Sequence, residues 1–392
     1  MTSDRNSSET SVNHPDRVIL DPTNRPVVSP IYQSVKFTLK DYAELEGVFQ
    51  DGSKQYFYSR TLNPTVRELE LTLAKLQNRE DAVALSSGMA AISSALLSLL
   101  KTGDHVCLFT ESYKPSRIFI RTLLAKFGIE HSVLSIDDHS ALERELAMKH
   151  SKIVLFESPT NPMLKLADIE CITQLAHAAG ALSVLDNTFA GFHNHGQYPV
   201  DLYLHSLTKF ASGHGDVMGG VVIGDEKLLK NIRADSQLLG GVLDPHAAYL
   251  IQRGMKTYFV RHKKQCENAT FLAEKLASHP KISKVFYPGL ESDPGHHLAK
   301  KQMHDFGALL AFNLKCDEPS FKTFFNQLKL IQSAASLGST ETLIAPAGLF
   351  FAGDLSPSEK QNAGITATTA RLAVGIEDPH DLFADFVQAL ES

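Results

Sequence analysis

Asp201-Leu-Tyr-Leu-His-Ser-Leu-Thr-Lys209-Phe-Ala-Ser-Gly-His-Gly-Asp216 brings one lysine to the end of an apolar run, beside two hydroxyls and ahead of a glycine-rich turn. Read with a period of two, residues 202 to 208 form a strand. Leu202, Leu204, Ser206 and Thr208 share one face; Tyr203, His205, Leu207 and Lys209 share the other. An amine held in a cleft at a strand end can lose its proton through desolvation or a neighbouring cation, and can then form a Schiff base with an aldehyde. The ordinary reading is a solvated lysine. What separates the two is whether other polar groups converge on the same place.

Upstream of this stretch they do. Strands are predicted over His105 to Thr110, Lys152 to Glu157 and Ala181 to Asp186, with a helix around 168 to 179. Such alternation argues an open, mostly parallel sheet, in which ligands sit beyond the carboxyl ends of the strands. Glu157, Asn161, Asp186 and Lys209 all fall there. Asp186 and Lys209 are separated by 209 − 186 = 23 residues, room for a loop and one further strand. A carboxylate facing a pyridine nitrogen keeps it protonated and makes the ring an electron sink. Otherwise Asp186 caps the turn at Asn187-Thr188.

Pyridoxal phosphate combines the aldehyde, the pyridine and a phosphate. The hydroxyls of Ser206 and Thr208 suit that phosphate. So do the backbone amides of Ser87, Gly88 and Met89, where Asp81-Ala-Val-Ala-Leu85 passes through a small-residue turn into an alanine-rich helix. A simple Ser-capped helix is the alternative for that segment. Tyr113, in the loop Tyr113-Lys-Pro-Ser-Arg117, offers a ring to stack on a flat heteroaromatic.

Further out, residues 1 to 60 carry Pro22, Pro26 and Pro30 and few helical signals, so they read as an extended arm lying on another domain or subunit. Asn63-Pro64 caps a helix with Val66, Leu69, Leu73 and Leu76 at helical spacing. Past Gly224 the sequence turns helix-rich, and a second domain is expected from about 250. There, Ser336-Leu-Gly338 reads as a loop and Arg371 as the first residue of a strand running to Ile376. The Arg371 guanidinium suits a substrate carboxylate, where a structural salt bridge is the default for one arginine. Asp378-Pro379 starts a last helix with Leu382, Phe383, Phe386, Val387 and Leu390 as its apolar stripe.

With 392 residues and 43% hydrophobic composition the chain can bury a large core divided into two domains. A formal net charge of −6 without basic runs gives no case for nucleic acid. Cys107, Cys171, Cys266 and Cys316 lie far apart, so their spacing suggests neither a metal site nor a disulfide framework, and fits a reducing cytoplasm. No segment has the apolar length of a membrane span, and the polar first residues lack the core of a signal peptide. Small charged metabolites are the expected partners.

Taken together, the chain resembles the pyridoxal-phosphate enzymes of cysteine and methionine trans-sulfuration. The resemblance runs through Pro30-Ile-Tyr-Gln-Ser, Tyr58-Ser-Arg60, Asn63-Pro-Thr, Ser87-Gly-Met, Glu157-Ser-Pro-Thr-Asn-Pro, Asp186-Asn-Thr-Phe, Ser206-Leu-Thr-Lys209, Arg253-Gly-Met-Lys-Thr, Ser336-Leu-Gly and Arg371-Leu-Ala-Val-Gly-Ile-Glu-Asp. It implies an α/β chain of fold type I, aspartate-aminotransferase-like, whose mostly parallel central sheet is followed by a smaller C-terminal α/β domain. The implied divisions are an arm at 1–60, a large cofactor domain at 61–249 and a C-terminal domain at 250–392. By the same resemblance Lys209 is the Schiff-base lysine and proton shuttle, Asp186 faces the pyridine nitrogen, and Ser87, Gly88, Met89, Ser206 and Thr208 hold the phosphate. Tyr113 stacks on the ring and shares the proton transfers, Asn161 contacts the phenolic oxygen, and Ser336 with Arg371 orients the substrate carboxylate. Tyr58 and Arg60 match a pair that reaches the phosphate of a neighbouring subunit, which implies a homodimer, usually within a homotetramer.

Within the family the motifs divide. Tyr113-Lys-Pro-Ser departs from the Tyr-Gly-Gly-Thr common in γ-carbon enzymes and is closer to a pattern of some β-lyases. Ser336-Leu-Gly338 resembles the branch of γ-synthases, γ-lyases and methionine lyases. Ala335 stands where synthases and γ-lyases often have Glu, and Pro115 where methionine lyases typically have Cys. The expectation is a γ-carbon enzyme of the cystathionine synthase or lyase type, with β-lysis or methionine lysis as alternatives. Aminotransferase chemistry and a non-catalytic cofactor-binding protein are the readings from other classes.

Overall fold

In the computed structural model the described residues are 7–14, 26–50 and 55–391. Seven strands make the first sheet: β1 (Asp81–Leu85), β2 (His105–Phe109), β3 (Glu130–Leu134), β4 (Ile153–Glu157), β5 (Leu182–Asp186), β6 (Leu202–Ser206) and β7 (Gly220–Gly224). Their order is β1-β7-β6-β5-β4-β2-β3, and only β7 runs against the others. Alternate residues feed two cores. Cys107, Phe109, Val154, Phe156, Leu185 and Tyr203 face one; Val106, Leu108, Ile153, Leu155, Val184, Leu202 and Leu204 face the other. Helices cover both sides, which is why these strands read as continuous apolar runs.

A second sheet contains β8 (Ile282–Phe286), β9 (Leu309–Leu314), β10 (Gln332–Ser333), β11 (Leu343–Pro346) and β12 (Thr369–Ala373), in the order β10-β11-β12-β9-β8. It is antiparallel except for the β10–β11 pair. Helices Glu226–Leu239, Pro245–Met255 and Tyr258–Ala277 lie between the sheets in sequence. Asn63 accepts from the N–H groups of Thr65 and Val66 and starts helix Pro64–Leu76, as its sequence predicts.

Three expectations need correction. Residues 1 to 60 are not extended throughout: helices Ser8–Asn13 and Tyr42–Val48 form, capped by Ser7 and Asp41, and Val12 is buried in the core beside Leu69 and Leu73. Pro22 lies outside the described residues. Arg371 does not open its strand but sits mid-strand in β12, between Ala345 of β11 and Ala311 of β9. In the last helix, Pro379–Glu391, Asp385 is buried with Leu382 and Phe386, while Phe383 and Val387 are only partly covered. The Asp385 carboxylate accepts from the N–H groups of Lys329, Leu330 and Ile331, which satisfies three donors at once.

Candidate active site

Register places the functional groups. Glu157 pairs with Asp186 and Asp186 with Leu204, so β4, β5 and β6 end side by side on Glu157, Asp186 and Ser206. The strand predicted through Thr208 stops at Ser206, because the Lys209 N–H turns back to the Ser206 carbonyl and Gly213 N–H to that of Lys209. Lys209 therefore leaves the sheet on a curled segment that lines a cavity of about 780 Å³. All the predicted site residues except Tyr58 and Arg60 line that cavity. Arg60 donates instead to the Gln237 carbonyl at 3.1 Å and stands 5.6 Å from the Tyr58 ring.

At one end of the cavity, the Ser87 hydroxyl caps helix Gly88–Leu99 by accepting from Ala90 N–H at 3.0 Å. The N–H groups of Gly88 and Met89 have no acceptor among the described residues. This helix start can lie against β7 because position 220 is glycine: a Cβ there would stand 2.0 Å from the Ser87 carbonyl oxygen. The Thr208 hydroxyl oxygen accepts from Gly219 N–H at 3.1 Å, and Ser206 packs against Gly88. Two unpaired amides at a helix N-terminus with two hydroxyls beside them form an anion cradle.

Asp186 caps the turn at Thr188 and keeps one oxygen free of it. Its Oδ1 accepts from the N–H of Thr188 at 3.1 Å and from its hydroxyl at 2.6 Å, and no described group bonds Oδ2. Burial pushes its pKa up. The Thr188 hydroxyl oxygen also accepts from Ser206 N–H at 2.9 Å, tying the ends of β5 and β6. Thr188 was not singled out in the sequence, and the hydroxyl two residues beyond a strand-end Asp is the signal that could have found it. Fully buried Glu157 accepts from the Tyr113 N–H; burial and the adjacent Asp186 push its carboxyl well up.

At the other end, Lys209 Nζ donates to Ser336 Oγ at 2.7 Å. Burial, then the positive charge of Arg371, lowers the lysine pKa to about 8. Arg371 is fully buried and pulled down to about 9, still charged at neutral pH. It donates to neutral oxygens only, Asn161 Oδ1 at 3.0 Å and the Ser336 carbonyl at 2.7 Å; its Nε has no partner, and no carboxylate pairs with it among the described residues. Phe351, another residue the sequence reading passed over, lies 4.2 Å beneath the guanidinium. Ser336 has φ 92°, a left-handed conformation unusual outside glycine, and its loop is held against Lys209 at Gly338, where a Cβ would stand 2.6 Å from Phe210 N.

These residues fit pyridoxal phosphate and an amino acid together. The free amides suit a phosphate, Asp186 Oδ2 a pyridinium, the depressed lysine an aldehyde, and the unpaired guanidinium an α-carboxylate.

Comparison with known proteins agrees with the geometry. The sequence profile described as Cys/Met metabolism PLP-dependent enzyme matches residues 10–391. The L-methionine gamma-lyase of Fusobacterium nucleatum subsp. polymorphum is 43% identical over 92% of this chain and 93% of its own. Cystathionine gamma-synthase 1, chloroplastic, of Nicotiana tabacum is 39% identical over 93% of this chain and 68% of its own. The crystal structure of cystathionine gamma synthase from Xanthomonas oryzae pv. oryzae, in complex with aminoacrylate and cysteine, superposes with a TM-score of 0.92 at 32% identity, covering 98% of each chain. With the fold, the cavity and a match along almost its whole length in agreement, the chain belongs to the Cys/Met metabolism PLP-dependent enzymes and uses pyridoxal phosphate as its cofactor.

Proposed function

We propose that this enzyme eliminates or replaces a group at the γ-carbon of a sulfur amino acid or homoserine ester whose distal end carries an anion. The observation that carries the reading is a pair of cations without carboxylates on one cavity. Arg371 is the buried one. Lys114, which lines the same cavity, makes only a 3.4 Å contact to the Phe350 carbonyl and no ion pair among the described residues. Arg371 takes the α-carboxylate and Lys114 the distal anion, a division that cystathionine or an acidic homoserine ester satisfies and methionine does not.

When bound, pyridoxal phosphate supplies the electron sink for charge developing at the substrate Cα. Gly88 and Met89 amides with Ser206 and Thr208 hold its phosphate, Asp186 its ring nitrogen, Asn161 its phenolic oxygen and Tyr113 its ring face. Ser336 bonds both Arg371 and Lys209, so the carboxylate anchor and the base are set by one residue. Lys209 Nζ, neutral in a substantial fraction near pH 8, takes the Cα proton. Chemistry at Cγ needs a second proton removed at Cβ: Lys209 takes it once its first proton has been passed on, and Tyr113 serves the departing γ-group. Burial raises the Tyr113 pKa, which keeps its hydroxyl protonated as an acid.

Tyr58 and Arg60, away from the cavity of their own chain, serve the phosphate of a second subunit in a homodimer, itself paired into a homotetramer. The arm at 1–60, the cofactor domain at 61–249 and the C-terminal domain at 250–392 are the corresponding divisions. Among the described residues no helix is long and apolar enough to cross a membrane; we place the enzyme in the cytoplasm on its widely spaced, unpaired cysteines. Mixing Lys209→Ala and Arg60→Ala chains tests the shared site, since mixed dimers regain one intact site and activity, and no regain removes the sharing.

Product identification tests the reaction. Cystathionine, methionine and an O-acylated homoserine plus cysteine are offered separately. Cysteine with 2-oxobutanoate from cystathionine, or new cystathionine from the ester, is expected. Homocysteine with pyruvate means β-lysis and overturns the γ-assignment. Lys114→Met is expected to lower kcat/KM for cystathionine by about 2- to 5-fold, the range of a partly exposed ion pair, and to leave methionine turnover unchanged. An equal loss on both substrates removes Lys114 as the distal anchor.

A further inference from the structure

Outside the active site, one cluster of side chains has the chemistry of a ligand set. We propose that His193, His262 and Asp305 form a site for a divalent transition metal of the zinc type, bridging the cofactor-binding sheet and the C-terminal half. His193 follows β5, His262 lies on helix Tyr258–Ala277, and Asp305 precedes β9. Their ligand atoms all lie within 4.8 Å of one another. Nε2 of His193 stands 2.7 Å from Asp305 Oδ2, and Nε2 of His262 stands 3.2 Å from the same oxygen. Ligand atoms on a tetrahedral zinc with bonds of about 2.1 Å are roughly 3.4 Å apart, so only small side-chain shifts separate the observed arrangement from coordination.

The supporting contacts orient the donors. Tyr258 Oη lies 2.9 Å from His193 Nδ1 and accepts from Phe192 N–H at 3.1 Å, which directs Nε2 of His193 toward Asp305. His262 is stacked on Tyr258, with ring centroids 5.6 Å apart, and meets the Phe210 ring edge to face. Gly307 N–H holds Asp305 Oδ1 at 2.9 Å. Such partners around ligating imidazoles and carboxylates fix both tautomer and direction. His262 Nδ1 is buried with no partner, so in the ligating tautomer its N–H stays unpaired and the Asp305 hydrogen bond at Nε2 is exchanged for the metal bond.

The trio opens on a hollow of about 520 Å³, with residues entirely different from those of the active-site cavity, and Cys266 lies on its wall against Asp305. Three protein ligands, an open side and a thiol within reach suit zinc or cobalt(II) better than magnesium or calcium, which prefer all-oxygen sets. Cysteine spacing carries no signal for this set, whose members are 43 and 112 residues from Asp305.

The test uses chelator-treated, cofactor-loaded enzyme titrated with Co²⁺, reading ligand-field absorption at wavelengths beyond the cofactor band, with Zn²⁺ as competitor. One equivalent per chain, displaced by Zn²⁺, is expected, with Zn²⁺ raising the Tm by about 3 °C or more. Asp305→Asn and His262→Gln are each expected to weaken Co²⁺ binding at least tenfold while the cofactor absorption reports that the fold is intact. If either variant fails to fold, His193→Gln carries the same expectation. No saturable Co²⁺ signal in the parent enzyme, or a signal unchanged in folded variants, overturns the site.

Discussion

Two arginines in this molecule, Arg233 partly buried and Arg371 fully, are treated oppositely. Arg233 donates to both oxygens of Glu70 at 3.0 Å and to Asp81 at 3.1 Å, and Arg67 joins the same two carboxylates, so two cations meet two anions. Its pKa is raised because, although burial lowers it, Glu70 and Asp81 outweigh that effect. Arg371 meets amide and carbonyl oxygens and an aromatic face, and is lowered by burial, which Tyr113 offsets only in part and no carboxylate offsets among the described residues. The fold has the means to neutralise a guanidinium and withholds them at Arg371; buried Arg261 likewise meets only the Thr257 hydroxyl and the Phe210 and Gly254 carbonyls, but of these two only Arg371 lines the cavity. An unpaired buried cation is tolerated where a ligand anion completes it.

The strongest test of that contrast concerns the group next to Arg371. Lys209→Ala is expected to lower kcat by about 10²- to 10⁴-fold, the range for a lost acid–base group, and to abolish the lysine-linked chromophore while leaving the Arg233 network unaltered. Retained kcat measured in steady state would remove Lys209 from the chemistry.

Exchanging the two arginines for methionine then separates stability from function. Arg233→Met leaves Glu70 and Asp81 with Arg67 as their remaining cation and is expected to destabilise by about 1.5–3 kcal/mol in denaturant unfolding, the range for lost charge-assisted hydrogen bonds. Arg371→Met removes a charge that has no partner and is expected to leave stability unchanged or raised. Its kcat/KM should fall by about 10- to 150-fold, the equivalent of roughly 1.5–3 kcal/mol for charge-assisted bonds to a carboxylate. A loss of stability in Arg371→Met as large as that in Arg233→Met would erase the distinction.

A smaller effect follows from Lys209 itself. Its folded pKa of about 8 lies below the ordinary lysine value of 10.5. Uptake of pyridoxal phosphate by the apo-protein needs the neutral amine, so the uptake rate should rise about tenfold per pH unit toward pH 8 and level above it. The sign for stability follows from proton binding. Below pH 8 both folded and unfolded lysines are charged; between about pH 8 and 10.5 the unfolded chain binds more protons, and the Lys209 contribution makes the apo-protein more stable by about 3 kcal/mol. Comparing apo Lys209→Ala with the parent isolates that contribution, and identical pH profiles would count against the depressed amine.

Much of this was readable residue by residue. The apolar alternation of β2, β4 and β5, the Asn63 and Ser87 caps, and the strand-end positions of Glu157 and Asp186 are local patterns, and the strands end within a residue of where the sequence put them. The end of β6 was misread because Leu207 is buried like the strand residues before it, so period-two patterning continued into a hydrogen-bonded turn. Arg371 was placed two residues early because Thr369 does not read as a strand start, yet its hydroxyl bonds Asn313 Oδ1 at 2.6 Å in the neighbouring strand. The burial of Asp385 had no local signal: its three backbone donors lie 54 to 56 residues away.

The sequence by itself determined which groups with chemical potential exist and at which strand ends and helix starts they stand, since caps, turns and periodicity depend on neighbours a few residues apart. Tertiary structure alone decided which charges are compensated. Arg233 finds Glu70 from 163 residues away and Asp81 from 152, whereas Arg371 meets only neutral oxygens, of Asn161 across 210 residues and of Ser336 across 35. Coulombic partners and desolvation are set by distance in space. Whether a given arginine is a strut or a receptor is therefore fixed only when the two sheets close over it.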